Sequence, residues 1–356
     1  MKDRSAYIIG AAKTEDGVGS LKQVLLLESK LLAKGIKPQQ LIIDPLQVDW
    51  HSPEAKYHFR SGCAPIEALA KAKQLIENGS PAVIIAGEDH IKTAYNRAQR
   101  LEKMAVYGQE YPLTQAYTDL ARTFSENNGI SAQQFKSIAN ALFENYITSY
   151  KKTMAEQFHP ELLPESRWYN SITELFRGVD CANPMVDFSG KLILTSADIA
   201  EQLDVDKSQW VKVSAVGLGR IEGDGAHYID EIARYQHLHQ AYHQACNQAK
   251  IDFAHLFKNG EALLEAYTCY PVVPMAFLLV SGLVDTLDEM SSFLAKHTIT
   301  LTGGMNLARA AWNNPALNAL IVMHQRLTNE KESVGLVHGN GGLGYRQGVA
   351  IIERVT

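Results

Sequence analysis

Cysteine is scarce in this 356-residue sequence, which carries Cys63, Cys181, Cys246 and Cys269. Four thiols are too few for a disulfide scaffold, and they fit a reducing compartment where a thiol can serve chemistry instead. Positive charge is not in excess: 34 Lys and Arg face 39 Asp and Glu, for a formal charge of −5. No basic face is implied, which argues against nucleic acid as the main partner. No apolar run approaches the roughly 18 residues of a membrane-spanning helix. The N-terminus lacks the long apolar core and small-residue cleavage site of a signal peptide, so the expectation is a cytoplasmic, soluble protein. What is present is an ordinary globular balance, 46% hydrophobic and 21% charged, and the length suggests two domains or two halves of one unit.

The first half alternates short apolar strands with amphipathic helices. Tyr7-Ile8-Ile9-Gly10 reads as a strand, residues 20–34 as a helix, Leu41-Ile42-Ile43 as a strand and residues 64–78 as a helix stopped by Asn78-Gly79. Ala82 to Gly87 follows as an all-apolar strand of the kind buried on both faces. Residues 113–150 change to a polar, helical stretch split at Asn127-Asn128-Gly129, and 151–190 hold several turn signals. These describe an inserted subdomain over 113–190. Strands return at 191–195 and 210–216, giving a first half of 1–112 plus 191–230 and a second half of 231–356. In the second half a helix near 231–250 leads to a strand through Thr268, and Pro271 and Pro274 open an apolar helix. A glycine-rich turn between 334–337 and 349–352 completes an expected hairpin. The fold class is α/β, in layers.

Cys63 precedes Pro65, which is tolerated in a helix's first turn, so the thiol is expected at a helix N-terminus. The helix dipole there favours a thiolate, the form that attacks thioesters. A free cysteine is as readily a small buried hydrophobe. His338-Gly339-Asn340-Gly341-Gly342-Leu343-Gly344 offers an acid/base imidazole and glycine N–H groups for an oxyanion, or only a tight hairpin. Cys269 is a second thiol with the same two readings. His237, His239 and His243 share a predicted helix, with no further ligand at metal spacing, and read as a solvated face.

Three segments together resemble the thiolase superfamily, closest to its sterol-carrier-protein-like and acetyl-CoA acetyltransferase groups. They are Gly62 to Glu88, Glu265-Ala266-Tyr267-Thr268-Cys269-Tyr270-Pro271, and Leu301-Thr302-Gly303-Gly304 through Asn313-Asn314 to His338-Gly339-Asn340-Gly341-Gly342. The resemblance implies a five-layered α/β/α/β/α protein of two similar halves with a helical insertion, assembled as a homodimer or dimer of dimers. It also implies an acyl-CoA acyltransferase, working by thiolysis or Claisen condensation, with coenzyme A thioesters as substrate and no metal or redox cofactor. By position it makes Cys63 the acylated nucleophile, His338 and Cys269 the acid/base groups, and Asn340, Gly341 and Asn313 the substrate pocket. Aligning from Gly79 to the biosynthetic thiolases instead puts Gly62 at the nucleophile, a one-residue ambiguity. Two departures stand out. The family's Gly-His-Pro histidine is missing from Met305 to Trp312, and Tyr267 replaces the histidine of the His-Asp-Cys-Phe segment. These leave open a second reading, a thiolase-fold protein that binds acyl-CoA or a partner subunit without turnover.

Overall fold

Ten strands carry the architecture: β1 (Tyr7–Glu15), β2 (Val18–Gly19), β3 (Gln39–Ile43), β4 (His58–Phe59), β5 (Ala82–His90), β6 (Asp187–Thr195), β7 (Val211–Arg220), β8 (Ala262–Glu265), β9 (Val334–Gly341) and β10 (Arg346–Arg354). They form one continuous path, β4-β3-β5-β6-β1-β7-β10-β9-β8, with β2 folded back on β1. The computed structural model describes residues 4–355. Two groups of strands meet at a narrow waist, where β1 and β7 pair only at Tyr7–Lys212 and Ile8–Val211. Strand β7 pairs with β10 along its length, from Val211 to Arg220.

The helices used below are α1 (Lys22–Ala33), α2 (Ala64–Glu77), α3 (Leu113–Asn127), α4 (Ala132–Met154), α5 (Gln236–Ala249), α6 (Val272–Val280) and α7 (Pro315–Asn329). Strand alternation shows how they are layered. On β5, Val83 and Ile85 share a cluster with Ile66 and Leu69 of α2 and Leu317 and Leu320 of α7. Ile84, pointing the other way, packs with Val24, Leu27 and Leu31 of α1. On β10, Ala350 and Ile352 join the α2–α7 layer, whereas Val349 and Ile351 face the cluster of α5 and α6. Period-two alternation thus buries both faces of both strand groups. The order is α1, sheet, α2 with α7, sheet, α5 with α6: five layers, as expected. Helices α3 and α4 form the insertion, and the break between them falls where Asn128 and Gly129 predict it.

One local expectation fails. The stretch from His338 to Gly341 is not a turn but the second half of β9, paired residue by residue with β10 from Val349 to Arg346. The turn begins only at Gly342, whose φ is +61°. These glycines serve packing. A Cβ on Gly339 would sit 2.8 Å from Ile66 and 3.3 Å from the Cys63 Cα, so their absence of side chain lets α2 lie directly on the strand. No helix among the described residues is long and apolar enough to cross a membrane.

Candidate active site

The start of α2 fixes which residue faces the ligand space. Cys63 is the N-cap, and its carbonyl accepts from the N–H groups of Ile66 and Glu67 at 3.0 and 3.1 Å. Its thiol turns inward. Cys63 has no exposed surface, and its Sγ lies 2.9 Å from where a Cβ on Gly348 of β10 would stand. Burial, then the charge of Glu67, pushes the thiol well above its ordinary pKa. The Cys63 thiol faces β10 and not the pocket. The residue before it, Gly62, faces the pocket.

That pocket holds about 170 Å³ and lies where both halves and the insertion meet. Tyr117 of α3 is its hub. The Tyr117 hydroxyl donates to the Gly342 carbonyl at 2.7 Å, and it accepts from the Cys269 thiol at 3.3 Å and from Asn340 Nδ2 at 3.2 Å. Its ring stacks on Tyr270 with centroids 3.9 Å apart. Tyr267 stands opposite. A side chain on Gly62 would collide with the Tyr267 hydroxyl and the Asn340 carbonyl oxygen. The phenol thus occupies the space that a nucleophilic side chain at position 62 would fill. Trp50 and Trp312, stacked with centroids 4.9 Å apart, form an apolar wall.

His338 stands behind this pocket and is spent on structure. Its Nδ1 accepts from the Tyr267 backbone N–H at 3.4 Å, so the proton rests on Nε2, which donates to Gln347 Oε1 at 2.8 Å. Gln347 Nε2 in turn donates to Asn340 Oδ1 at 2.7 Å. Burial lowers the imidazole pKa to about 4, and the ring stacks on Phe277. A neutral imidazole with both nitrogens engaged has no free lone pair for substrate. Asn313 is structural as well: its Oδ1 accepts from Trp50 Nε1 and the Ser61 N–H, and its Nδ2 donates to the Asp44 carbonyl. Gly341 abuts Ser61 and Cys63 rather than the pocket. Of the six residues expected at the site, Cys269 and Asn340 line the pocket; Cys63, His338, Gly341 and Asn313 build the shell behind it.

The pocket wall carries no Asp, Glu, His, Lys or Arg among the described residues. Met305, Ala310 and Trp312 cover the stretch where a histidine is missing. Burial raises Cys269 to about 12 and holds Tyr117 and Tyr267 well above the ordinary phenol range. At neutral pH the site is uncharged and without a base, and its Tyr117, Cys269 and Asn340 donors are bonded within it. Sequence reasoning missed Tyr117 because nothing local ties an aromatic residue in the insertion to this site. The displaced histidine at Tyr267 was the signal that could have found the phenol. No metal centre emerges: His237 contacts the Gly344 carbonyl in the interior, His239 and His243 pair on the exposed face of α5 with ring centroids 4.2 Å apart, and no group of three or more metal-ligating side chains occurs among the described residues.

Neither a family model nor a curated protein matches the sequence. Solved structures match it in fold. A monomeric SCP2-thiolase-like protein type 1 from Mycobacterium smegmatis superposes with a TM-score of 0.69 at 18% identity, covering 100% of this chain and 79% of that one. The Acat5 thiolase from Ascaris suum in complex with coenzyme A gives 0.61 at 12% identity, covering 99% of this chain and 100% of that one. The Ltp2–ChsH2(DUF35) aldolase gives 0.62 at 15% identity, covering 99% of both chains.

Proposed function

Starting from the thiolase fold, we propose that this protein binds an acyl-CoA thioester and holds its acyl carbonyl in the Tyr117–Tyr267–Cys269–Asn340 pocket without transferring the acyl group to a cysteine. One observation carries the reading: the side-chain space at Gly62 is filled by the Tyr267 hydroxyl, while the Cys63 sulfur packs against β10. An acyl-enzyme needs a thiolate with access to the carbonyl. Cys63 has neither. Cys269 has access, but its thiol keeps its proton and donates a hydrogen bond to the Tyr117 hydroxyl. The uncharged wall of the pocket favours a neutral acyl group over a carboxylate, and one fold neighbour is described in complex with coenzyme A, which supports the ligand class.

Intact-mass measurement after incubation with short and medium acyl-CoAs tests this. The expected result is an unchanged mass together with saturable quenching of tryptophan fluorescence, since Trp50 and Trp312 line the pocket. An acyl adduct that disappears in Cys63→Ala or Cys269→Ala, or CoA-dependent thiolysis by the pure protein, would overturn it. So would the absence of any saturable binding.

A further inference from the structure

A second cavity of about 170 Å³ lies at the opposite end of β8. Its wall combines Ser149 and Lys152 of α4, Lys296 and Thr300 from the segment before Gly303-Gly304, and Glu332 just ahead of β9. The hydroxyls of Ser149 and Thr300 are buried without a hydrogen-bond partner among the described residues, and so is Glu332 Oε2. Ser149 and Thr300 are each only 2% exposed. Buried polar atoms are almost always paired. Four orphans around one cavity, Arg326 Nε being the fourth, mark a place where a ligand supplies the partners.

The surrounding charge narrows the ligand. Lys152 and Lys296 stand exposed at the rim. Arg326 also lines the cavity; its charge is balanced by an ion pair with Glu330, though its buried Nε makes no hydrogen bond. Two ammonium groups with no ion-pair partner among the described residues, against the one carboxylate of Glu332, leave a positive excess. The wall residue His297 registers it: after burial, Lys296 and Lys258 are what lower its pKa. The ligand must therefore accept hydrogen bonds from two ammonium groups and two hydroxyls, yet donate one to Glu332.

We propose that this cavity binds an oxyanion that keeps a proton at neutral pH, hydrogenphosphate being the fitting case. Its unprotonated oxygens accept from Lys152, Lys296, Ser149 and Thr300, as charge-assisted bonds where the lysines donate. A hydroxyl meets such an oxygen by rotating about its own C–O bond. The remaining P–OH donates to Glu332 Oε2. Sulfate has the same shape and charge but no proton, so it would set an anionic oxygen against the carboxylate.

Calorimetric titration of the full chain at pH 7.5 with inorganic phosphate and with sulfate tests the site. Phosphate is expected to bind, with sulfate at least about tenfold weaker, the size of one lost charged hydrogen bond. Lys152→Gln combined with Lys296→Gln changes two exposed side chains, so the fold survives, and phosphate affinity should fall by about tenfold or more. Glu332→Gln should erase the preference over sulfate. A phosphate monoester, which loses its proton near about pH 6, should match free phosphate only below that pH; parity at pH 7.5 would reject the proton-donor role. No heat with phosphate up to about 10 mM, or phosphate and sulfate binding equally and indifferently to the lysine changes, overturns the proposal. Acyl-CoA quenching in the same samples shows independently that the other pocket is intact.

Discussion

A single methyl group at position 62 would meet the Tyr267 hydroxyl and the Asn340 carbonyl at once. The carbonyl belongs to β9 and cannot swing away, so Gly62→Ala must displace the phenol or the start of α2. Overpacking of this kind costs about 1–3 kcal/mol. We expect Gly62→Ala to lose that much in urea unfolding and to lose acyl-CoA quenching as well. Cys63→Ala is the contrasting change. It removes a buried sulfur from the layer between β10 and α2, which lowers stability by about 1 kcal/mol as a small cavity does, and it should leave acyl-CoA affinity unchanged. If Cys63→Ala abolished binding while Gly62→Ala left it intact, the assignment of the facing residue would be reversed.

At the level of elements, β9 shows both what hydrophobic pattern reveals and where it stops. The helices over 22–33 and 64–77 and the strand from Ala82 follow directly from periodicity and from Asn78-Gly79. The split of the insertion into two helices follows from its Asn-Gly break. The facing of the turn that leads into α2 does not: neighbouring positions 62 and 63 point to different sides, one to the pocket and one to β10, and no local signal says which. The run of glycines in β9 reads as a turn because close helix–strand packing and tight turns both require glycine. His338 sits inside that strand, and its burial has a consequence for pH. Its folded pKa of about 4 lies below the ordinary 6.5. Between those values the unfolded chain binds the extra proton, so stability contributed by the neutral imidazole is present above pH 6.5 and is lost as pH falls toward 4. The loss is on the order of 3 kcal/mol. Glu265, raised to about 7 by burial, acts with the opposite sign, as a carboxyl stabilised in its protonated form below that pH. Chemical unfolding of wild type and His338→Gln from pH 7 to 4 separates them. The variant should lose distinctly less stability across that range, and parallel curves would show that burial does not depress the imidazole pKa in the folded protein.

Across the whole molecule, the pocket is assembled from three parts of the chain that share no local sequence: Gly62 from the first half, Tyr117 from the insertion, and Tyr267, Cys269 and Asn340 from the second half. The Tyr117 hydroxyl is the one atom joined by hydrogen bonds to Gly342, Cys269 and Asn340 together, so it ties the insertion to the strands beneath. A ligand held there contacts every part and can bind fully only when all are folded. Binding to the native state alone stabilises it by RT ln(1 + [L]/Kd), about 2.7 kcal/mol at a hundredfold excess over Kd. For a chain of this length that corresponds to a rise in melting temperature of roughly 2–4 °C. Acyl-CoA should therefore shift the melting of the insertion and of the strand core together, followed by near-ultraviolet circular dichroism of the tyrosines and by far-ultraviolet signal. Tyr117→Phe keeps the ring stacked on Tyr270 but removes the hydroxyl, leaving the Cys269 thiol, the Asn340 amide and the Gly342 carbonyl without their shared partner. It should lower the unliganded stability by about 1–3 kcal/mol and shrink the ligand-induced shift. A full shift in Tyr117→Phe would mean that the thioester binds without the insertion, and that the junction of the three parts is not where the acyl group lies.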